Sequence, residues 1–249
     1  MDDGGSAGAV LSGPALPAIL TVAETGSTNA DLLALAADGA HEGSWLRAER
    51  QTAGRGRQGR AWESLGGNLY ASTLIRIVPT DPPAASLALV CAVALAETIG
   101  TLGCPAVTIK WPNDLLLDGA KLAGILLERS GDAVIAGFGV NLATHPTIEG
   151  RQTASLAGRL WVHSAAELFD HLVSDFARWL GIWRRDGLAP VIARWEGQAH
   201  PLGTPLVANL SDGSSLAGAF VGLADDGALR LRLADGAVRV IHAADVFVV

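Results

Sequence analysis

Three stretches of the chain gather residues suited to binding and activating anions. The first is Gln51-Thr-Ala-Gly-Arg-Gly-Arg-Gln-Gly-Arg60, with glycines at 54, 56 and 59 and arginines at 55, 57 and 60. Gly54, Gly56 and Gly59 let the backbone approach a ligand with N–H groups turned inward, a nest for anions. Arg55, Arg57 and Arg60 add guanidinium forks that grip phosphate or carboxylate at two points. No Gly-Lys-Ser/Thr follows, so this is not a Walker A loop. Taken alone, it reads equally well as an RGG-like nucleic-acid segment or a solvated basic loop. The second stretch is Lys110-Trp-Pro-Asn-Asp114. Lys110 suits a phosphate, and Asp114 suits a Mg²⁺ ion or a hydroxyl. A β-turn chosen for geometry explains Pro112 and Asn113 but leaves Lys110 without a reason. The third is Lys121-Leu-Ala-Gly-Ile-Leu126, an ammonium at the mouth of an apolar strand, with Gly124 leaving space against the backbone. The bland alternative is an edge charge that deters aggregation.

Composition sharpens the case for the lysines. Of 18 basic residues 16 are Arg, and Lys110 and Lys121 are the only lysines, in a chain with 43 Ala and 30 Gly. Where arginine replaces lysine wherever either serves, a retained lysine marks a place that needs a compact ammonium. Two weaker signals join them. Gly137-Phe-Gly-Val-Asn141 ends a strand in two glycines and an isolated amide, and Ser27-Thr28-Asn29 offers hydroxyls that also suit helix capping. The six histidines have no metal-ligand spacing, and neither a Ser/His/Asp triad nor a Cys nucleophile stands out. Such a set positions two anions and stabilises the charge that develops between them. Attack of a carboxylate on a nucleotide α-phosphate is that kind of reaction. A carboxylate is inert to amines near neutral pH, so amide formation first needs an acyl-adenylate.

The rest of the chain bounds this reading. With 249 residues, 49% of them hydrophobic, it can build one large core or a domain plus a small module. The net charge of −7 disfavours a general nucleic-acid surface. The longest uncharged apolar stretch, residues 84–96, is short of the roughly 20 residues of a membrane span. Residues 1–13 carry two Asp and no base, unlike a secretory signal. Cys91 and Cys104 read as reduced core thiols of a cytoplasmic protein.

These residues must be held by elements whose signals follow in order. Residues 1–18, rich in Gly, Ala, Ser and Pro, read as a loose tail. Ser27-Thr28-Asn29 caps a short helix over Asp31–Ala37. Strands are expected at 44–50, 68–76, 107–111 and 133–140, and a hairpin pairs 115–117 with 121–128 across Asp118-Gly119. Residues 84–99 form a buried helix. Ser164 and Glu167 form a capping box before an apolar stripe from Leu168 to Trp183. Five short strands beyond residue 198, punctuated by Asp212-Gly213, Asp226-Gly227 and Asp235-Gly236, form a small β module. The domains are thus 19–197 and 198–249. The strand at 133–140 is read as a sheet edge on which a homodimer could pair.

Taken in order, Gly-Arg-Gly-Arg-Gln-Gly-Arg, Lys-Trp-Pro-Asn-Asp and Lys-Leu-Ala-Gly-Ile-Leu closely resemble the motifs of the biotin–protein ligase family. Ser-Thr-Asn before them and Gly-x-Gly-Val-Asn after them match as well, and the resemblance spans about residues 22–249. It implies an α+β fold: a mixed β-sheet flanked by helices, class II synthetase-like, followed by an SH3-like barrel. It implies that biotin and ATP, with Mg²⁺, give biotinyl-5′-AMP, which a lysine of a biotin carboxyl carrier domain then attacks. By motif, Ser27, Thr28, Asn29, Gln51, Gly54, Arg55, Gly56, Arg57 and Gly124 would meet biotin. Lys121 would bridge carboxylate and α-phosphate, with Arg57 closing the loop as the second catalytic residue. Arg57, Arg60, Trp62, Lys110, Asp114 and Asn141 would hold the nucleotide, and Asp114 is the candidate Mg²⁺ ligand. Ala61 departs from relatives that carry lysine before the tryptophan. Regulatory members have an N-terminal DNA-binding domain, for which the residues before the first motif leave no room, so no nucleic-acid partner is expected. A lipoate or octanoate ligase of similar fold is the neighbouring alternative, and a non-catalytic nucleotide- or RNA-binding module the remote one.

Overall fold

The computed structural model describes residues 18–104, 107–159 and 161–248. The tail expected over residues 1–18 therefore lies outside the description except for Ala18. Seven strands form the first sheet: β1 (Ile19–Thr25), β2 (Trp45–Gln51), β3 (Leu69–Arg76), β4 (Thr108–Lys110), β5 (Asp114–Leu117), β6 (Ala120–Ser130) and β7 (Ala133–Val140). Their spatial order is β1-β2-β3-β7-β6-β5-β4. β1 and β2 run parallel and the remaining neighbours antiparallel, so the sheet is mixed.

Alternation along β7 explains how one sheet serves both a core and a ligand. Side chains of a strand point to opposite faces in turn. Val134, Ala136, Phe138 and Val140 face the main core. Ala133 and Ile135 face the other way, onto Leu32 and Ala36 of helix α1 (Thr28–Ala37). Farther along that second face come Gly137 and Gly139, and where their side chains are missing a cavity opens.

Helices α2 (Leu87–Thr101), α3 (Ala165–Asp186) and α4 (Ala189–Glu196) cover the core face. α2 is buried almost all round. Residues 84–101 are long and apolar enough to cross a membrane by length and composition alone, but two thirds of that stretch is enclosed by the fold. α3 begins at the expected capping box: Glu167 N–H donates to Ser164 Oγ at 3.2 Å, and Ser164 N–H to Glu167 Oε2 at 2.7 Å. Its stripe buries Leu168, Phe169, Leu172, Phe176, Trp179 and Trp183, each contributing roughly 1.5–3 kcal/mol. Trp45 anchors it, lying 5.8 Å from Phe138 and edge-on to Phe169 and Phe176.

The second sheet contains β8 (Pro205–Asn209), β9 (Ser215–Leu223), β10 (Leu229–Arg232), β11 (Val238–Ile241) and β12 (Asp245–Val248), in the order β11-β10-β9-β8-β12, all antiparallel. No pairing closes β11 onto β12 among the described residues, so the module stands as a five-stranded antiparallel sheet. Each expected Asp-Gly turn forms with its glycine at positive φ, and the Asp212, Asp226 and Asp235 carboxylates accept the N–H two residues on. Trp111 Nε1 donates to Gly227 O at 3.1 Å, and Ile109 N–H to Gln198 O at 2.8 Å. These bonds fix the second sheet against the end of the first that carries Lys110.

Three expectations need correction. The strand at Ala133–Val140 is not an edge, because β3 and β6 pair with it on either side; the outermost strands are β1 and β4. β1 and α4 are elements the sequence signals did not anticipate. Cys91 is buried and free as expected, whereas Cys104, also free, is only half-buried.

Candidate active site

The cavity above Gly137 and Gly139 has a volume of about 790 Å³. Of the residues expected to meet biotin or the nucleotide only Gly54 does not line it. A Cβ on Gly54 would stand 2.6 Å from the Trp62 carbonyl, so its role is to let the arginine-glycine loop close on itself. That loop differs from the expected inward-facing nest. Gly56 N–H donates to Arg60 O at 2.7 Å and Trp62 N–H to Gly54 O at 2.9 Å, with Gln58 and Gly59 turning the tip at positive φ. It is a small fold-back whose Gly56 and Trp62 N–H groups are used within the loop, while Arg55, Arg57 and Arg60 line the cavity.

A bulge in β6 aims Lys121. Leu115 pairs with Ala123 but Leu116 with Lys121, so one residue is extra on β6. Without it Lys121 and Gly124 would point to opposite faces; with it they share the cavity face. Lys121 Nζ then reaches Asp114 Oδ1 at 2.6 Å, and Lys110 Nζ, opposite Asp114 on β4, reaches Oδ2 at 3.2 Å. Burial pushes the Asp114 carboxyl up, but the ammonium groups of Lys121 and Lys110 outweigh it and hold the group below its ordinary range. Lys110 Nζ also donates to Val246 O at 3.1 Å. Behind it His200 is half-buried with Nε2 unpartnered, and burial and then Lys110 lower its pKa.

Each Asp114 oxygen is therefore matched to an ammonium, and no cluster of three metal-binding side chains exists among the described residues. That donor set does not fit a resident Mg²⁺ on Asp114. It fits a magnesium ion arriving on nucleotide phosphates, since Mg²⁺ keeps its waters and is shared with substrate oxygens.

Trp62 lies over the glycines. A Cβ on Gly139 would be 2.6 Å from the indole and one on Gly124 2.9 Å from it, and Lys121 Nζ sits 5.5 Å from the ring centre. At the other end, Thr28 N–H donates to Gln51 Oε1 at 2.8 Å. A backbone N–H needs an acceptor, so the Gln51 amide is fixed with its NH₂ free for the cavity. Ser27 caps α1 through Ala30 N–H, a long 3.5 Å contact. Asn29 is fully engaged within the protein: Nδ2 donates to Leu126 O at 3.3 Å and Glu128 Oε2 at 2.8 Å, and Oδ1 accepts from Ser72 at 2.6 Å. Asn141 Nδ2 donates to Ala154 O at 3.1 Å, while its Oδ1 is buried without a partner.

Sequence reasoning missed Ser72, Glu128 and Asp245. Asp245 opens β12 and receives two loop arginines, Arg60 at 2.5 Å and Arg57 at 3.7 Å; Arg57 also donates to Ala244 O at 3.3 Å. None of the three stands in a motif, and each meets its partner from far along the chain.

Comparison with known proteins bears on this arrangement. The biotin/lipoate A/B protein ligase family matches residues 22–142, and the biotin protein ligase C-terminal domain matches residues 207–249. A biotin–[acetyl-CoA-carboxylase] ligase of Paracoccus denitrificans is 41% identical over 239 residues, covering 91% of this chain and 98% of that protein. The chain belongs to the biotin protein ligase family. A second member, from Mycobacterium tuberculosis, is 35% identical over 90% of this chain and 86% of its own length. The biotin protein ligase of Aquifex aeolicus, solved with biotin and ATP, shares the fold at a TM-score of 0.83, with 24% identity over 94% of this chain and all of that one. The family's Leishmania major member, solved with biotinyl-5-AMP, is 26% identical with a TM-score of 0.65, over 92% of this chain and all of that one.

Proposed function

We propose that this chain activates biotin with ATP as biotinyl-5′-AMP and passes the biotinyl group to a lysine of a biotin carboxyl carrier domain of the acetyl-CoA carboxylase type. The observation that carries the reading is the trio Lys110–Asp114–Lys121 at the cationic end of a cavity whose other end offers the Gln51 amide. A carboxylate oxygen of biotin attacks the α-phosphorus, the bond to the bridging oxygen of the β-phosphate breaks, and pyrophosphate leaves with the electron pair. Negative charge grows between the two reactants. Lys121 serves both, because its ammonium stands at the mouth of the apolar strand, fixed by Asp114 before substrate arrives. Lys110, Arg57 and Arg60 serve the phosphates, Trp62, over Gly124 and Gly139, stands beside Lys121 where nucleotide and acid meet, and the unpartnered Asn141 oxygen offers an acceptor to the nucleoside. Magnesium enters as part of the nucleotide substrate. In the second step the acceptor amine attacks the acyl carbon, AMP leaves, and the amine loses a proton. Two free cysteines and dependence on ATP accord with a cytoplasmic location.

The test is mass spectrometry of a carrier domain incubated with enzyme, biotin, ATP and Mg²⁺. A biotin-sized gain on one lysine is expected. ATP–pyrophosphate exchange driven by octanoate or lipoate, and not by biotin, would overturn the choice of acid.

A further inference from the structure

The two ends of the cavity differ in charge, and the difference rests on a residue that does not line it. Leu126 pairs with Gly137, and Gly124 with Gly139. A Cβ on Gly137 would collide with Asn29, and one on Gly124 would lie 3.3 Å from Lys121 Nζ. Asn29 and the Lys121 ammonium thus stand over strand positions two residues, or about 7 Å, apart. Around Lys121 gather Lys110, Arg57 and Arg60, four cations against the carboxylates of Asp114 and Asp245. At the Asn29 end the cation is Arg55, and Glu128 answers it. One Glu128 oxygen accepts from Asn29 Nδ2 at 2.8 Å; the other lies 3.7 Å from Arg55 Nη1.

Glu128 also orders the hydrogen bonds behind the cavity wall. A carboxylate only accepts, so Asn29 must turn its NH₂ toward it and its oxygen toward Ser72. Ser72 is fully buried, 2.6 Å from that oxygen and 2.7 Å from Thr28 Oγ1. Ser72 and Thr28 share two hydroxyl protons among three contacts, because Thr28 Oγ1 also lies 3.0 Å from Gln51 Oε1. The Gln51 oxygen also takes the Thr28 N–H. The Glu128 carboxylate fixes the Asn29 end of this row, and the Thr28 backbone N–H fixes the Gln51 end.

We propose that Glu128 is a positioning residue that neutralises the head-group end of the cavity, so that an acid with an uncharged polar head binds with its carboxylate at Lys121. This rests on the ligase reading, which already puts the carboxylate at Lys121, and adds what keeps a second carboxylate out of the other end. Without the Glu128 charge, Arg55 makes the head-group end cationic and open to a second carboxylate. An acid with a carboxylate at both ends would then fit.

The experiment compares wild type with Glu128→Gln in the full chain, using nonanedioate, charged at both ends, and octanoate, charged at one. Binding is read as inhibition of biotin-dependent ATP–pyrophosphate exchange and, independently of turnover, by calorimetry. Glutamine keeps an acceptor for Asn29, so the melting temperature should stay close to that of wild type. Nonanedioate should bind Glu128→Gln at least tenfold more tightly than wild type, with octanoate changed less than twofold. Adding Arg55→Gln removes the exposed cation and should restore weak nonanedioate binding. Equal affinity of nonanedioate for wild type and Glu128→Gln would overturn the proposal, as would a parallel gain for octanoate. Absence of biotin-dependent exchange in the wild type would instead overturn the ligase reading, which keeps the two failures apart.

Discussion

Lys121 shows why lysine and arginine are not interchangeable at this site. Its Nζ is wedged between Asp114 Oδ1 at 2.6 Å, the Trp62 ring centre at 5.5 Å and the bare backbone of Gly124. A guanidinium carries the same charge but is a bulkier planar fork with five donors, which cannot keep the single ammonium's place against all three neighbours. Lys121→Arg should displace Trp62 or release Asp114, and either moves the charge away from the reacting oxygens. Adenylate formation should fall at least tenfold, about 1.4 kcal/mol of barrier. Single-turnover pyrophosphate release checks this; a rate near wild type would remove Lys121 from the role of bridging the two anions. Asp114 sets that geometry from one position, since its carboxylate faces both lysines of the chain.

At the scale of elements, the cavity exists because β6 and β7 carry glycine where neighbouring strand positions carry leucine or isoleucine. Gly139→Ala puts a methyl 2.6 Å from the Trp62 indole, and neither strand nor ring can yield without loss. Overpacking of this kind costs about 1–3 kcal/mol. Here it should appear as a KM for biotin raised roughly tenfold, the fold-change matching about 1.4 kcal/mol. Gly66→Ala, with open space around its Cβ, is the control that should leave KM unchanged. Much of this was legible in the sequence, since Gly124, Gly137 and Gly139 interrupt apolar strands where a ligand would need room. The hairpin at Asp118-Gly119 was legible for a local reason as well: both residues take positive φ. β1 was not, because it is an edge strand with mostly exposed residues and no buried alternation to detect. α4 was hidden by Pro190, which reads as a breaker in the middle of a helix but is accepted in its first turn. Ser72 and Glu128 were illegible for a different reason. Their meaning comes from Asn29, 43 and 99 residues away, and no local pattern encodes such a contact.

At the scale of the whole molecule, the short segment Ala244–Val246 joins the two sheets functionally. Arg57, Arg60 and Lys110, the cations assigned to the nucleotide, all bond to it through the Asp245 carboxylate or the carbonyls of Ala244 and Val246. The C-terminal sheet is therefore a wall of the site, and the arginine-glycine loop is tethered to it before substrate arrives. The Asp245 pairs are about one quarter to one third exposed, so solvent screening limits them to about 1 kcal/mol. Asp245→Ala should accordingly free the loop about fivefold, without unfolding the chain. Opening is read by limited trypsin digestion after Arg55, Arg57 and Arg60, whose rate follows the open population when reclosing is fast. Cleavage of the ligand-free variant should be about fivefold faster than wild type, and saturating biotin with ATP should protect both, because phosphates then take the place of Asp245 as the anion facing Arg57 and Arg60. Equal cleavage rates for the two ligand-free proteins would mean that the loop is held by its own fold-back bonds, Gly56 to Arg60 and Trp62 to Gly54, and that the second sheet contributes a surface without a tether.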